Sequence, residues 1–228
     1  MAGGVQNTMT TKELFQLSQH IITRYPGILK TSQKFAIEVT SRDYFQRNTN
    51  PLLMEIKEVD GLKTGFTNKA GYCYVSTFNI LGKENQSENL RLISIVMGAK
   101  GFEERKELSR VLVNHGIENY SKKILLSEAI SLETIEIPKA NTPEVEAFPR
   151  EGLSRLVKND EDIDVRVELY EKMILPIEKG EKIGSVIVER NGEEIFETDI
   201  ILNEDVKKAN WFILFARFIS NIYDKVIG

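Results

Sequence analysis

Lys63-Thr64-Gly65 sets an ammonium, a hydroxyl and a residue without a side chain next to one another inside a strand-like run. A three-letter match recurs by chance, so its weight comes from its neighbours. Asp60-Gly61-Leu62 precedes it, and Phe66-Thr67-Asn68-Lys69-Ala70-Gly71-Tyr72 follows. The other reactive residue types are sparse. Cys73 is the single cysteine, which excludes an intrachain disulfide framework; it reads as a small buried hydrophobe. His20 and His115 fall on helical segments without acidic partners at ligand spacing. Both read as structural, and no metal is expected. The run Asn159–Asp164 alternates carboxylates in a way compatible with calcium, but no glycine stands at the EF-hand position, so a solvated loop is favoured. No cofactor is expected. Lys and Arg number 30 against 34 Asp and Glu, a net charge of -4. Nucleic-acid binding needs a clustered basic excess, and this balance argues against it.

Elements must position these groups. Thr10-Thr11-Lys12-Glu13 has the form of a capping box, followed by Leu14, Leu17, Ile21 and Ile22 at helical spacing and closed by Pro26-Gly27. Residues 34–40 read as a short strand and Asn48–Pro51 as a turn. Three strands are expected at Val59–Phe66, Tyr72–Ile80 and Leu90–Gly98, the last apolar enough to be buried on both faces. Short links make them an antiparallel meander. A helix over Phe102–Tyr120 carries Leu108, Val111, Leu112 and His115 on one stripe. From about 122 to 202 the chain turns to short strand-like runs at Ile124–Leu126, Thr134–Ile137, Asp164–Leu169, Lys182–Glu189 and Glu194–Ile201. Asn191-Gly192 is a hairpin signal between the last two, and the whole reads as a small β-sandwich. Ala209–Ile227 then places Trp211, Phe215, Phe218, Ile219 and Ile222 on one helical face, as an interfacial helix would. Arg217 in its middle disfavours spanning. Met1–Thr11 has neither a basic nor an apolar segment of a signal peptide.

The extended motif over Asp60–Tyr72, followed by Arg91-Leu92-Ile93-Ser94-Ile95-Val96-Met97-Gly98, resembles the low-molecular-mass penicillin-binding proteins, the serine-type D-Ala-D-Ala carboxypeptidases. Thr10–Leu17, Asn48–Leu53 and Glu103–Gly116 resemble further helices and loops of that family. Pro176–Gly184 and the closing aromatic helix resemble its C-terminal β-domain and membrane-surface anchor. The resemblance implies that a serine attacks the penultimate D-Ala carbonyl, activated by the lysine of an S-x-x-K motif. It further implies that Lys63 and Thr64 hold the terminal carboxylate, that Gly65 lets the substrate approach, that the Phe66 backbone N–H is half of an oxyanion hole, and that Thr67 supports the loop. Phe66 stands where some members have His, and Thr49 where some have Arg. No serine of the 228 residues begins an S-x-x-K. Ser87-Glu88-Asn89 fits S-x-N by letters but follows the K-T-G strand, and it reads as coincidence.

The expected fold is α+β. Residues 1–121 would form part of a transpeptidase-like domain, 122–206 a β-rich domain, and 207–228 an amphipathic membrane-surface helix. The expected function is that of the C-terminal portion of a peptidoglycan D-alanyl-D-alanine carboxypeptidase, inactive alone for want of a nucleophile. The alternative is a non-catalytic cell-envelope scaffold. Expected partners are stem peptides and β-lactams in the intact enzyme, a membrane surface, and a complementary N-terminal fragment or a second copy. By resemblance the location is the extracytoplasmic face of the bacterial membrane.

Overall fold

The computed structural model describes residues 7–82, 87–217 and 219. The fold is α+β and divides into two compact units, at Lys122 and Lys123.

In the first unit, α1 (Thr11–Arg24) opens with the capping box that its sequence announces. Thr10 Oγ1 accepts from the Glu13 backbone N–H at 3.2 Å, and the Thr10 N–H donates to the Glu13 carboxylate at 2.7 Å. That bond, with one from the Thr10 hydroxyl, holds the Glu13 carboxyl below its ordinary value. Pro26 does not lead into a coil. It caps a second helix, α2 (Gly27–Ser32), because its fixed φ is already helical. The strand expected at 34–40 is half of a hairpin, β1 (Ala36–Val39) with β2 (Tyr44–Arg47), joined through Asp43 at φ 45°. The central sheet runs β3 (Val59–Thr67), β4 (Gly71–Ile80) and, after a short β5 (Ser87–Glu88), β6 (Leu90–Ala99), in the spatial order β3-β4-β6, all antiparallel. Gly71 closes the β3–β4 turn at φ 69°, with the Ala99 carbonyl 2.8 Å from where a Cβ would stand, so only glycine fits. The β6 strand is mostly half-buried, not buried on both faces.

Helix α3 (Phe102–Asn119) packs with a different face from the one its apolar pattern suggests. Arg105, Ser109, Val113 and Gly116 are buried, whereas Leu108, Val111 and Leu112 are exposed and His115 lies beside Tyr120 and Asn119. The cause is steric. A Cβ on Gly116 would lie 2.7 Å from the Phe78 ring, so the bare backbone is what lets the helix settle on β4. Leu52, Val59, Tyr74, Phe78 and Val113 form the core beneath.

The second unit continues β7 (Tyr120–Leu126) and adds β8 (Glu133–Glu136), β9 (Glu144–Pro149), β10 (Leu153–Lys158), β11 (Ile163–Leu169), β12 (Lys182–Arg190) and β13 (Glu193–Leu202). One sheet has the order β11-β12-β13-β9-β8, and β10 lies beside β7. Leu126 and Leu153 share a single core with Val186, Val188, Ile200 and Leu202, which makes the unit sandwich-like. Asn191 and Gly192 both have positive φ, at 52° and 81°, as a two-residue hairpin turn requires. In the acidic run, Asp160 pairs with Lys158 and Glu161 with Arg190.

Residues 211–217 are helical. The Arg217 guanidinium donates to the carbonyls of Ala140 at 2.8 Å and Asn141 at 2.6 Å, which ties the helix to its own unit. Trp211 (64% exposed), Phe212, Phe215 and Ile219 remain exposed. Phe218 and Ile222 of the expected apolar face lie outside the described residues.

Candidate functional site

Strand β3 carries the site, and three devices fix it. The first lies at its start. Asp60 accepts from Arg91 at 2.8 Å and from Thr77 Oγ1 at 2.8 Å, and Arg91 also reaches Thr77 at 2.6 Å, so β3, β4 and β6 are pinned together by one charge-assisted cluster. The second is a close approach: Ser32 Oγ donates to the Asp60 carbonyl at 2.9 Å, and a Cβ on Gly61 would lie 2.5 Å from Ser32 Oγ. The third is the segment Asn48-Thr49-Asn50. The Asn48 amide donates to the carbonyls of Ser32 and Lys34, both at 2.8 Å, which closes the base of the β1–β2 hairpin. Asn50 Oδ1 accepts from the Leu52 N–H at 3.0 Å and from the Tyr74 hydroxyl at 2.5 Å. Burial pushes the Tyr74 phenol far above its usual range, so it stays a neutral donor.

On this frame the residues singled out from the sequence fall together. Lys63, Gly65, Phe66 and Thr67 are exposed, while Thr64 is buried at 8%. The Thr64 hydroxyl lies 2.5 Å from that of Thr49. A hydroxyl both donates and accepts, so Thr64 keeps a free donor if Thr49 supplies the proton between them. The Lys63 ammonium donates to the Thr64 carbonyl, which places that carbonyl on the outer edge of β3, away from β4. Strand alternation then turns the Phe66 N–H to the same outer edge, because Thr64 and Phe66 face Tyr74 and Tyr72 in the same class of pair. A Cβ built on Gly65 meets nothing within 4 Å, so space stands open above it. The Phe66 ring leans on Tyr72 at 4.4 Å, and the Arg105 guanidinium stands over Tyr72 at 5.6 Å. Thr67 Oγ1 accepts from the Ala70 N–H at 3.0 Å and shapes the following turn.

Lys63 and Thr64 separate two cavities. One, of about 250 Å³, is lined mostly by polar residue types, Lys34, Tyr44, Arg47 and Thr49 among them, with Leu62 in its wall. The other, of about 490 Å³, is apolar and is walled by Leu14, Leu17, Ile21, Ile28 and Val75, with Gly65 at its margin. Lys34 and Arg47 were not singled out from the sequence. Their position depends on the hairpin, whose second strand was not foreseen; the signal was the turn-forming Ser41-Arg42-Asp43 after a β-branched run. Asn89 is structural, since its Oδ1 accepts from the Gly82 N–H at 3.0 Å. Cys73 is half-buried, with its sulfur near the Ala70 carbonyl.

Comparison with known proteins fits this geometry. Residues 4–101 match the family model described as D-alanyl-D-alanine carboxypeptidase, and residues 120–208 match that of the penicillin-binding protein 5 C-terminal domain. The chain is 30% identical over 213 residues to the D-alanyl-D-alanine carboxypeptidase DacF of Bacillus subtilis, covering 92% of this chain and 52% of that protein. It is 28% identical over 208 residues to DacA of Haemophilus influenzae, covering 89% of this chain and 51% of the relative. The chain thus spans about half the length of the curated relatives it matches. Penicillin-binding protein 5 from H. influenzae superposes with a TM-score of 0.52 at 25% identity, over 87% of this chain and 57% of the other. With one family model over each of its two units, and the K-T-G strand within the first, this chain belongs to the D-alanyl-D-alanine carboxypeptidase family of low-molecular-mass penicillin-binding proteins.

Proposed function

We propose that β3 is the carboxylate-binding wall of a peptidoglycan D-alanyl-D-alanine carboxypeptidase site. The observation that carries this reading is the outer edge of β3: an exposed ammonium, a hydroxyl and an unfilled space over Gly65 in consecutive residues, with the Phe66 N–H on the same edge. A peptide ending in D-Ala-D-Ala pairs with this edge as an added strand. Its terminal carboxylate takes the Lys63 ammonium and the Thr64 hydroxyl. Its scissile carbonyl lies over Gly65 against the Phe66 N–H, which stabilises the developing oxyanion; one such donor is worth roughly 3 kcal/mol. Thr67 holds the turn that ends the strand. The 228 residues contain no S-x-x-K, so in this reading the nucleophilic serine comes from residues outside them. The element that bears it covers the apolar cavity beside Gly65, which brings the serine against the strand. β-Lactams, as mimics of the substrate, take the same place.

The test is an NMR titration of the 228-residue chain with diacetyl-L-Lys-D-Ala-D-Ala. Shifts at Lys63–Thr67 that vanish in Lys63→Ala support the reading. Binding that ignores Lys63→Ala, or shifts confined to another region, would overturn it. Fluorescent penicillin should leave the isolated chain unlabelled, and labelling should appear when a polypeptide carrying S-x-x-K from a relative is added.

We also propose that residues 211–219 lie on a membrane surface. Support comes from the exposed Trp211, Phe212, Phe215 and Ile219; no helix among the described residues is long and apolar enough to cross a bilayer. The chain should co-sediment with anionic vesicles, and Trp211→Ala with Phe215→Ala should abolish this.

A further inference from the structure

The smaller cavity beyond Thr64 has an unusual charge. Lys34, Arg47 and Lys63 all line it, and no Asp or Glu does. This chain has more acids than bases overall, and most of its ion pairs join neighbouring elements: Lys106 and Arg110 to Glu55, Arg91 to Asp60, Arg150 and Lys182 to Asp199. Among the described residues, none of Lys34, Arg47 and Lys63 enters an ion pair. The backbone of one new cation and the side chain of the other have partners. Lys34 is anchored through its carbonyl by the Asn48 amide, and the Arg47 guanidinium rests over the Phe35 ring at 5.8 Å.

Direction along the strand decides which part of a ligand reaches this cavity. The argument rests on the proposed function. With the terminal carboxylate at Thr64 and the scissile carbonyl at Phe66, the peptide runs from the 66 end of β3 toward the 64 end. The residue that leaves on hydrolysis therefore lies at Thr64, which with Leu62 and Lys63 forms one wall of the cavity. Alanine fills little of about 250 Å³. From this we infer that the cavity is a leaving-group subsite for a C-terminal D-residue bearing a second carboxylate, with Lys34 and Arg47 as its specificity-determining residues. Lys63 takes the main-chain carboxylate, and the hairpin pair takes the side-chain one. Neutral isosteres lack the attraction, and a basic leaving residue is repelled.

The test compares three peptides with the 228-residue chain by NMR titration: diacetyl-L-Lys-D-Ala followed by D-Ala, D-Gln or D-Glu. Partly exposed pairs of this kind change affinity by about two- to five-fold each, so D-Glu should bind roughly five-fold more tightly than D-Gln. The advantage should disappear in Lys34→Ala with Arg47→Ala, two exposed positions whose loss leaves the fold intact by circular dichroism. It should also fade as salt rises from about 0.01 to 1 M, where the screening length falls from roughly 30 to 3 Å. Lys63→Ala should weaken all three peptides alike. Equal affinity for D-Glu and D-Gln overturns the subsite and leaves the proposed function standing. Failure of every peptide to bind overturns both.

Discussion

Gly65 can be filled without straining the strand. Its backbone is not in the left-handed range and its Cβ position is open, so valine there occupies only the space assigned to the ligand. Gly65→Val should keep the thermal midpoint of the parent and lose all shifts on titration with the D-Ala-D-Ala peptide; retained binding would place the ligand elsewhere. Asp60 is the opposite case. Removing its carboxylate leaves the Arg91 guanidinium, already partly desolvated, without its partner. Asp60→Ala should cost about 1–3 kcal/mol in urea unfolding and loosen β3 at the end that leads into the motif. The placement of Lys63 through Thr67 on a single strand was legible from the sequence because the run is local. The Thr49–Thr64 hydroxyl pair and the cations of the hairpin were not, since each joins segments whose approach depends on folds of the chain between them.

Helix α3 shows what periodicity leaves open at the level of an element. Its sequence offers two faces, and Leu108, Val111 and Leu112 make the more apolar one, yet the buried one holds Arg105, Ser109, Val113 and Gly116. Close contact with Phe78 decides the matter, and hydropathy does not register the absence of a Cβ. Gly116→Val should destabilise by about 1–3 kcal/mol through overpacking, while Leu108→Gln should stay within about 0.5 kcal/mol; the reverse order in urea unfolding would contradict the packing. The buried Arg105 has its guanidinium against Tyr72 and Phe102, its Nε without a hydrogen-bond partner, and its acidity raised by burial. In the second unit, β9 was missed although Glu144–Pro149 alternates exposed and buried residues, because Pro143 and Pro149 read as loop punctuation. An edge role at its ends reconciles the prolines with the strand.

Over the whole molecule, acid response follows from where carboxylates are paired. In the second unit Lys182, at 2.7 Å, and then Arg150, at 3.1 Å, hold the Asp199 carboxyl below its ordinary value of 3.8. A depressed folded value means that the pair's stabilisation is present above 3.8 and is lost as the pH falls through the lower, folded value. Asp199→Asn should flatten this part of the acid limb of urea midpoints measured between about pH 5 and pH 2; an unchanged limb would show that the pair adds nothing. In the first unit Lys106, and then Arg110, lower Glu55 in the same sense. The α+β class and the central meander were readable because strand runs and turn residues agree over Val59–Ala99. The tie of Arg217 to the Ala140 and Asn141 carbonyls joins residues more than seventy positions apart and left no trace in the sequence pattern. That tie has a spectroscopic corollary. Trp211 is the chain's one indole, stacked on Phe212 at 4.3 Å and carried by the helix that Arg217 fastens. Intrinsic emission excited at its red edge therefore reports on that helix and on the unit to which Arg217 fastens it, and following the K-T-G strand calls for a second fluorophore placed beside it.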